Sequence, residues 1–445
     1  MPRVSAGVSP VVKQAIGRSG QSRSALPRPG IRAESSSGQP LPRSEAARGS
    51  GPPQYPAGGA RCTIRAVRAI VLIGGKGTRL RPLSWRAPKQ LVPILNRPLL
   101  SYLLDALRSH GFERVTFAMT ERDEAIEAAF TGDAATPGLE IEYVLEGEPL
   151  GSGGAIANAS GGWDEPFLVC NGDIVSDIDL GAFAATHRQR GAELSLALSE
   201  VEDPSRFGVV VLGGGDRITR FVEKPPREEA PSRLINAGLW LFEPAVGRML
   251  AADCFNRVED ELFPNLAATG RGVFGHTHDG YWADVGNPEA YLQTNLDLLA
   301  GAAPSLLPAG WPEDGRAIDA ANLAADARVE GPALLGAGTH VGAGASLEGG
   351  VVAGAGCAIG SGATVAGSVL WDGVEIGEGA QVRDSVLADG ARVGAGAVIV
   401  GVVLAHGAAV AAGERPPPGT LLEPEDVYRE GQVLSPASAL GAGEA

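Results

Sequence analysis

Cysteine is scarce in this chain. The 445 residues hold four, Cys62, Cys170, Cys254 and Cys357, and none belongs to a C-x-x-C pair. That spacing argues against a disulfide framework and a structural zinc site, and it fits a reducing cytoplasm. Long apolar runs are also missing. The longest are strand-sized, so no segment reads as a membrane span. The body of the chain has no basic surplus. Residues 1–65 hold ten Arg/Lys against two Glu, which leaves 27 basic and 50 acidic residues for the remainder. Such an acidic body lacks the footprint of a general nucleic-acid binder, although a local basic site for a small anion stays open.

Glycine and proline are abundant instead, at 63 and 32 residues, about a fifth of the chain. That share is high for one compact domain, and the length suggests two or three. Residues 1–66 are rich in Ser, Pro, Gly and Arg without apolar periodicity, and they read as a disordered extension. Arg- and Ser-rich, acid-poor stretches also occur in transit peptides. Val67-Arg68-Ala69-Ile70-Val71-Leu72 has the form of a first buried strand. We read Val67 as an alternative start that leaves 1–66 untranslated; a native mass beginning at Met1 or Pro2 overturns this.

Residues 67–300 alternate strand and helix patterns. Ala69–Ile73, Arg114–Met119, Ile141–Leu145, Pro166–Cys170 and Leu194–Leu198 read as strands. Leu99, Leu100, Leu103, Leu104 and Leu107 mark one face of a helix. The alternation predicts an α/β domain with a mostly parallel sheet, whose ligands sit beyond the carboxyl ends of the strands. Residues 301–326 read as a linker. From 327 to 413 a hexapeptide repeat runs through Val329, Leu335, Val341, Leu347, Ala353, Ile359, Val365 and Trp371. After a five-residue step come Ile376, Val382 and Ala388, and after another Val393, Ile399, Ala405 and Ala411. That period predicts a parallel β-helix with small residues at its corners. Gly413 to Pro418 is expected to end it, and 414–445 reads as a loosely ordered tail.

The sharpest local motif, Gly74-Gly75-Lys76-Gly77-Thr78-Arg79-Leu80-Arg81-Pro82-Leu83, follows the first strand. A Gly-rich turn lets backbone N–H groups approach phosphate oxygens. It is not a P-loop, because Gly77 stands where Ser or Thr is needed. It is not a dinucleotide fingerprint, because Leu80 stands where the third Gly belongs. Arg79, Arg81 and, within ten residues, Lys89 of Pro88-Lys89-Gln90-Leu91-Val92-Pro93 gather positive charge beside it. Further along come Glu146-Gly147-Glu148-Pro149-Leu150-Gly151-Ser152-Gly153-Gly154, Asn171-Gly172-Asp173, Phe207-Gly208-Val209, Val222-Glu223-Lys224-Pro225, Ile235-Asn236-Ala237-Gly238 and Trp282-Ala283-Asp284-Val285-Gly286.

In this order the motifs resemble those of the sugar-1-phosphate nucleotidyltransferases, the NDP-sugar pyrophosphorylases, with a C-terminal left-handed β-helix. The resemblance covers about 67–413. It implies a Rossmann-like catalytic domain and attack of a sugar-1-phosphate oxygen on the α-phosphorus of an NTP, with release of pyrophosphate. The attacking phosphate is already ionised at neutral pH, so catalysis reduces to positioning and charge neutralisation. Mg²⁺ is the implied cofactor, with Asp173 and Asp284 as its ligands. Arg79 and Lys89 hold the triphosphate in this reading, with Gly74, Gly75, Gly77, Thr78, Glu146 and Gly151 lining the nucleotide. Lys224 holds the sugar phosphate, and Gly208, Glu223, Asn236 and Gly238 line the sugar pocket. Arg81 is read as support for the loop, Trp282 as packing and Lys76 as solvent-facing.

Glu146 stands at the family's base-binding position. A carboxylate accepts from both N1–H and the N2 amino group of guanine, whereas Gln suits thymine or uracil better. The resemblance therefore points to GTP; the alternative is that Glu146 only caps the loop or contacts ribose. The sugar motifs resemble those of mannose-1-phosphate guanylyltransferases. Gly153-Gly154 also resembles heptose-1-phosphate enzymes, and Lys89-Gln90-Leu91-Val92-Pro93 resembles glucose-1-phosphate thymidylyltransferases. Two other classes stay in view: a catalytically silent nucleotide-sugar sensor, and an acyltransferase using His340 or His406 of the repeat. The β-helix is expected to form homo-oligomers, because its faces need covering.

Overall fold

A computed structural model describes residues 68–436, apart from 76, 131–137 and 319–320. The expectations for 1–66 and for Lys76 lie outside the described residues. Nine strands form the main sheet: β1 (Arg68–Leu72), β2 (Arg114–Met119), β3 (Glu140–Leu145), β4 (Phe167–Asn171), β5 (Leu194–Glu200), β6 (Gly208–Leu212), β7 (Ile218–Glu223), β8 (Leu234–Phe242) and β9 (Val273–His278). Their order is β7-β6-β8-β4-β1-β2-β3, with β5 beside β8 and β9 beside β5. β1 runs parallel to both β2 and β4. β8 runs antiparallel to β4, β5 and β6.

β1 is apolar along its length, and Ala69, Ile70 and Val71 are fully buried. Such a run suits a strand covered on both faces. The helix Leu99–Ser109 buries all five leucines of its stripe. The chain steps from β1 outward to β2 and β3, then returns to place β4 on the other side of β1. That reversal opens a crevice at the carboxyl ends of β1 and β4, where α/β sheets bind ligands.

The C-terminal part is a parallel β-helix with three strand columns. Arg316–Ala317 already pairs with Ala333–Leu335, and Asn322–Leu323 with His340–Val341. The stack therefore begins inside the stretch expected to be a linker. It also outlasts the expected end at 413. Leu421–Leu422 pairs with Val403–Leu404, and Val427–Arg429 with Ala409–Val410. The tail up to Leu434 is thus largely ordered, because Leu422 and Tyr428 still supply inward side chains.

The repeat register also needs correction. Ala353, Leu370, Leu387 and Leu404 stack in register and point inward. Trp371, Ala388 and Ala405 are therefore one residue past the interior positions, as is Ala411 beside inward Val410. The five-residue steps fall after Val365, Val382 and Ile399. Each shortens one corner, and the parallel ladder then fixes which side chain points in. Trp371 and Ala388 instead pack outward with Val352, Val369, Val386 and Val403 against the helix Pro288–Leu299, so the α/β domain itself covers one face of the β-helix. His340 is exposed, as expected, while His406 is 8% exposed and packs edge-on against Trp371. No described helix is long and apolar enough to cross a membrane.

Candidate active site

A cleft of about 450 Å³ opens where β1 and β4 end. Gly74, Gly75 and Arg79 line it from the first loop. Arg79 reaches it from the one-turn helix Thr78–Leu80, which Leu80 anchors in the core. Gly77 and Thr78, expected to bind nucleotide, do not line the cleft. The Gly77 carbonyl accepts from Ser84 Oγ at 2.7 Å, and an added Cβ there would sit 3.4 Å from the Lys89 Cβ. Arg81 stacks on Trp85 with 3.6 Å between guanidinium and ring centre, a support for the loop.

Asp173 and Asp284 come from distant segments. The strand Trp282–Asp284 pairs antiparallel with Ile174–Ser176, with Asp284 opposite Ile174. The Val285 N–H also donates to the Asp173 carbonyl at 3.1 Å. Lys89 Nζ, on a side chain 9% exposed, donates to Asp173 Oδ2 at 2.6 Å and lies 3.7 Å from Asp284 Oδ1. Burial and the neighbouring Asp173 push the Asp284 carboxyl above the usual carboxylate range, while Lys89, Arg79 and Arg206 pull it back. Asp284 Oδ1 is buried without a hydrogen-bond donor. Among the described residues no group of three or more His, Cys, Asp or Glu forms a metal cage. Two carboxylates, one with an orphaned buried oxygen, match what Mg²⁺ takes from a protein when substrate phosphates complete its shell.

The opposite wall carries the expected sugar residues. Gly208 pairs with Glu223 across β6 and β7, and the Lys224 N–H donates to the Phe207 carbonyl at 3.0 Å. Glu223 Oε1 meets Lys224 Nζ at 3.0 Å and the Arg257 guanidinium at 3.1 Å. Asn236 Oδ1 accepts from Gly238 N–H at 3.1 Å and from Trp240 Nε1 at 2.7 Å. Gly238 has φ +79°, and an added Cβ would lie 2.8 Å from Asn171 Nδ2, so side chains are excluded on two counts. Trp282 packs edge-on against Phe207, donates to the Ala237 carbonyl at 2.9 Å and also lines the cleft.

Glu146 lines the cleft beside Pro149 and Gly151. Its Oε2 accepts the Leu150 N–H at 3.0 Å, so the loop-capping role is present. The helix Gly151–Ser160 begins under the segment around Asn256. Gly153 N–H donates to the Asn256 carbonyl at 3.0 Å, and Asn256 N–H donates to the Leu150 carbonyl at 2.9 Å. A Cβ at Gly151 or Gly153 would collide with Asn256, so this pair of glycines has a packing cause.

Several cleft residues had been given no role from the sequence: Ser152, although it lies in a quoted motif, and Thr120, Arg206, Phe255, Arg257 and Glu259. Ser152 Oγ donates to Glu259 Oε2 at 2.5 Å, and burial pushes the Glu259 carboxyl up. Arg206 directly precedes Phe207-Gly208, a signal that could have exposed it. Arg257 had none, because only the docking of its loop on the Gly151–Ser160 helix brings it in. The cleft thus sets four cations, Arg79, Arg206, Lys224 and Arg257, around carboxylates in one crevice, while Lys89, expected to bind the triphosphate, lines the neighbouring pocket and reaches the cleft only through its contact with Asp173. Such a site can gather two anionic phosphates.

Residues 68–301 match the family described as nucleotidyl transferase, and residues 317–415 match the EIF2B subunit epsilon LbH domain. A mannose-1-phosphate guanylyltransferase of Mycobacterium tuberculosis is 38% identical over 278 residues, 62% of this chain and 77% of that protein. The catalytic subunit beta of mannose-1-phosphate guanylyltransferase from Danio rerio is 36% identical over 251 residues, 55% of this chain and 69% of that one. The crystal structure of HddC from Yersinia pseudotuberculosis aligns with a TM-score of 0.46 at 26% identity, covering 52% of this chain and 99% of that one. The family match, together with the relatives, identifies the chain as a member of the nucleotidyl transferase family, enzymes that move a nucleoside monophosphate from an NTP onto a sugar 1-phosphate.

Proposed function

We propose that the chain transfers GMP from GTP to mannose 1-phosphate, releasing pyrophosphate and forming GDP-mannose. The observation that carries this is the convergence of the glycine loop and the two aspartates, which Lys89 contacts, on one wall of a cleft whose other wall holds Glu223 and Lys224. A phosphate oxygen of the sugar phosphate forms the new bond to the α-phosphorus, and the bond from that phosphorus to the bridging oxygen of the leaving pyrophosphate breaks. No proton transfer is required of the protein. Arg79 and Lys89 bind the triphosphate, with Gly74 and Gly75 facing it and Gly77 and Thr78 shaping the loop. Lys224 binds the sugar phosphate, while Gly208, Glu223, Asn236 and Gly238 face the sugar. Asp173 and Asp284 would hold Mg²⁺. The ion, when bound, neutralises phosphate charge and lowers the repulsion between the two substrates.

Glu146 supports guanine as the base. The Leu150 N–H fixes its carboxylate, and each carboxylate oxygen has lone pairs to accept from guanine N1–H and N2. The names of the two relatives support the same base and sugar. The cap bond also favours a second reading, in which Glu146 serves the loop alone and dTTP or UTP is used with glucose 1-phosphate. The free thiols of Cys170, Cys254 and Cys357 support a cytoplasmic setting. Homo-oligomers through the β-helix complete the proposal, and light scattering tests them.

The experiment measures pyrophosphate release with GTP, dTTP, UTP, ATP and CTP against mannose, glucose, heptose and N-acetylglucosamine 1-phosphates. Activity with GTP and mannose 1-phosphate, abolished by EDTA and restored by Mg²⁺, is expected. A dTTP or UTP signal discards the reading of Glu146. Turnover with no pair moves the chain to the sensor class.

A further inference from the structure

The segment that delivers Lys89 does not stand on the catalytic domain alone. Lys89 opens a one-turn helix, Lys89–Leu91, which leads into a short hairpin pairing Pro93–Ile94 with Arg97–Pro98. Tyr291 Oη, fully buried on the helix Pro288–Leu299, donates to the Pro93 carbonyl at 2.5 Å. The same oxygen accepts from Trp371 Nε1 of the β-helix at 2.8 Å. At the hairpin tip, Asn96 Nδ2 donates to the β-helix carbonyl of Ala353 at 2.7 Å. Val92, Ile94 and Leu95 share one apolar cluster with Tyr291, Trp371 and the outward valines of the β-helix. The β-helix also pairs Glu425 with Arg86, three residues before Lys89.

The outward placement of Trp371 explains its burial, since only 3% of it is exposed although it lies outside the interior of the β-helix. Its indole ring fills the gap against Tyr291, and its N–H gives the tyrosine oxygen a donor. With that donor in place, the tyrosine proton is directed at Pro93. Four residues upstream, Lys89 must hold its ammonium group 2.6 Å from Asp173.

We propose that Trp371 is a positioning residue for the reaction, acting through Tyr291 on the Pro88–Pro93 segment that aims Lys89 at the two aspartates. The β-helix is thereby part of the catalytic apparatus and not only an assembly module. The inference rests on the reading of Lys89 as a triphosphate ligand. A small displacement of a charged group in a preorganised site costs more in turnover than in ground-state binding of the other substrate.

The test is steady-state pyrophosphate release by the full chain, using the nucleotide and sugar phosphate that support turnover, for the wild type and for Trp371→Phe, Asn96→Gly, Lys89→Gln and the Trp371→Phe/Lys89→Gln double variant. Trp371→Phe keeps an aromatic ring, smaller than the indole, and removes the donor. It is expected to lower kcat about five- to tenfold while KM for the sugar phosphate stays within about twofold. Asn96→Gly, which keeps the left-handed backbone at φ +59°, is expected to reproduce that split through an independent contact. In the Lys89→Gln background the Trp371 change should have no further effect, because both act on one group. Wild-type activity in Lys89→Gln overturns the Lys89 reading and the inference with it. A slow Lys89→Gln variant overturns the positioning role alone if Trp371→Phe leaves kcat unchanged or multiplies the Lys89 loss. If Trp371→Phe fails to fold, Asn96→Gly decides by the same criteria.

Discussion

At Asp284, charge and burial pull against each other. Its carboxylate faces Asp173 and carries a buried oxygen without a donor, which Lys89 and two arginines only partly compensate. Asp284→Asn removes one of two like charges. The expected outcome is a loss of turnover of at least about 100-fold together with an equal or higher melting temperature in metal-free buffer. Calorimetry and the pyrophosphate assay check the two halves separately. Glu146→Gln tests the choice of base. The amide oxygen keeps the Leu150 cap, so the loop should survive. Relative kcat/KM for GTP over dTTP should fall about tenfold or more, and an unchanged ratio removes the guanine argument. Asp173, Glu223 and Lys224 were legible as residues of the cleft lining because each sits inside a compact motif. Arg257 was not. Its path into the cleft runs through the packing of Asn256 on Gly153, a contact between segments 103 residues apart in number.

Among the elements, the helix Gly151–Ser160 shows how a motif can have a packing cause. Its first turn is glycine-rich because the Cys254–Asn256 backbone lies directly on it. Gly153→Ala would drive a methyl group into the Asn256 side chain. We expect a loss of about 1–3 kcal/mol in stability, read by urea denaturation, and a weaker hold on Arg257, read as a raised KM for the sugar phosphate. Val285→Ala, in the apolar cluster behind the aspartates, serves as a control that shortens a side chain without touching that loop. The strands β1 to β5 were legible from their apolar runs, and the Leu99–Ser109 helix from its leucine stripe. The β-helix was legible as a repeat but not in register. Ile376 and Val393 recur inward whichever corner is short, so the sequence could not say whether Leu370 or Trp371 points in. The parallel ladder from Ala353 to Leu370 decides it.

For the whole molecule, three buried or half-buried histidines set the response to acid. Burial holds His187, His276 and His406 below the ordinary histidine value of 6.5, although Glu243 partly offsets this at His187 and Asp389 at His406. The folded chain binds these protons less readily than the unfolded one. Their contribution is therefore complete above about pH 6.5 and is lost as the pH falls toward the lowered folded values. The melting temperature should drop between about pH 7.5 and about pH 5.5, and less steeply in His187→Gln. A flat profile, or an identical slope in the variant, contradicts the assignment. The sequence by itself determined the α/β domain, the β-helix and most of the charged residues of the cleft, because apolar periodicity and short motifs are local properties. Only the tertiary structure decided that Asp284 is brought to Asp173 by pairing Trp282–Asp284 with Ile174–Ser176, that Arg257 reaches Glu223, and that an outward tryptophan of the β-helix braces the Lys89 segment. Those contacts join residues from 34 to 198 positions apart, and their geometry follows from strand pairing and close packing, which no local pattern encodes.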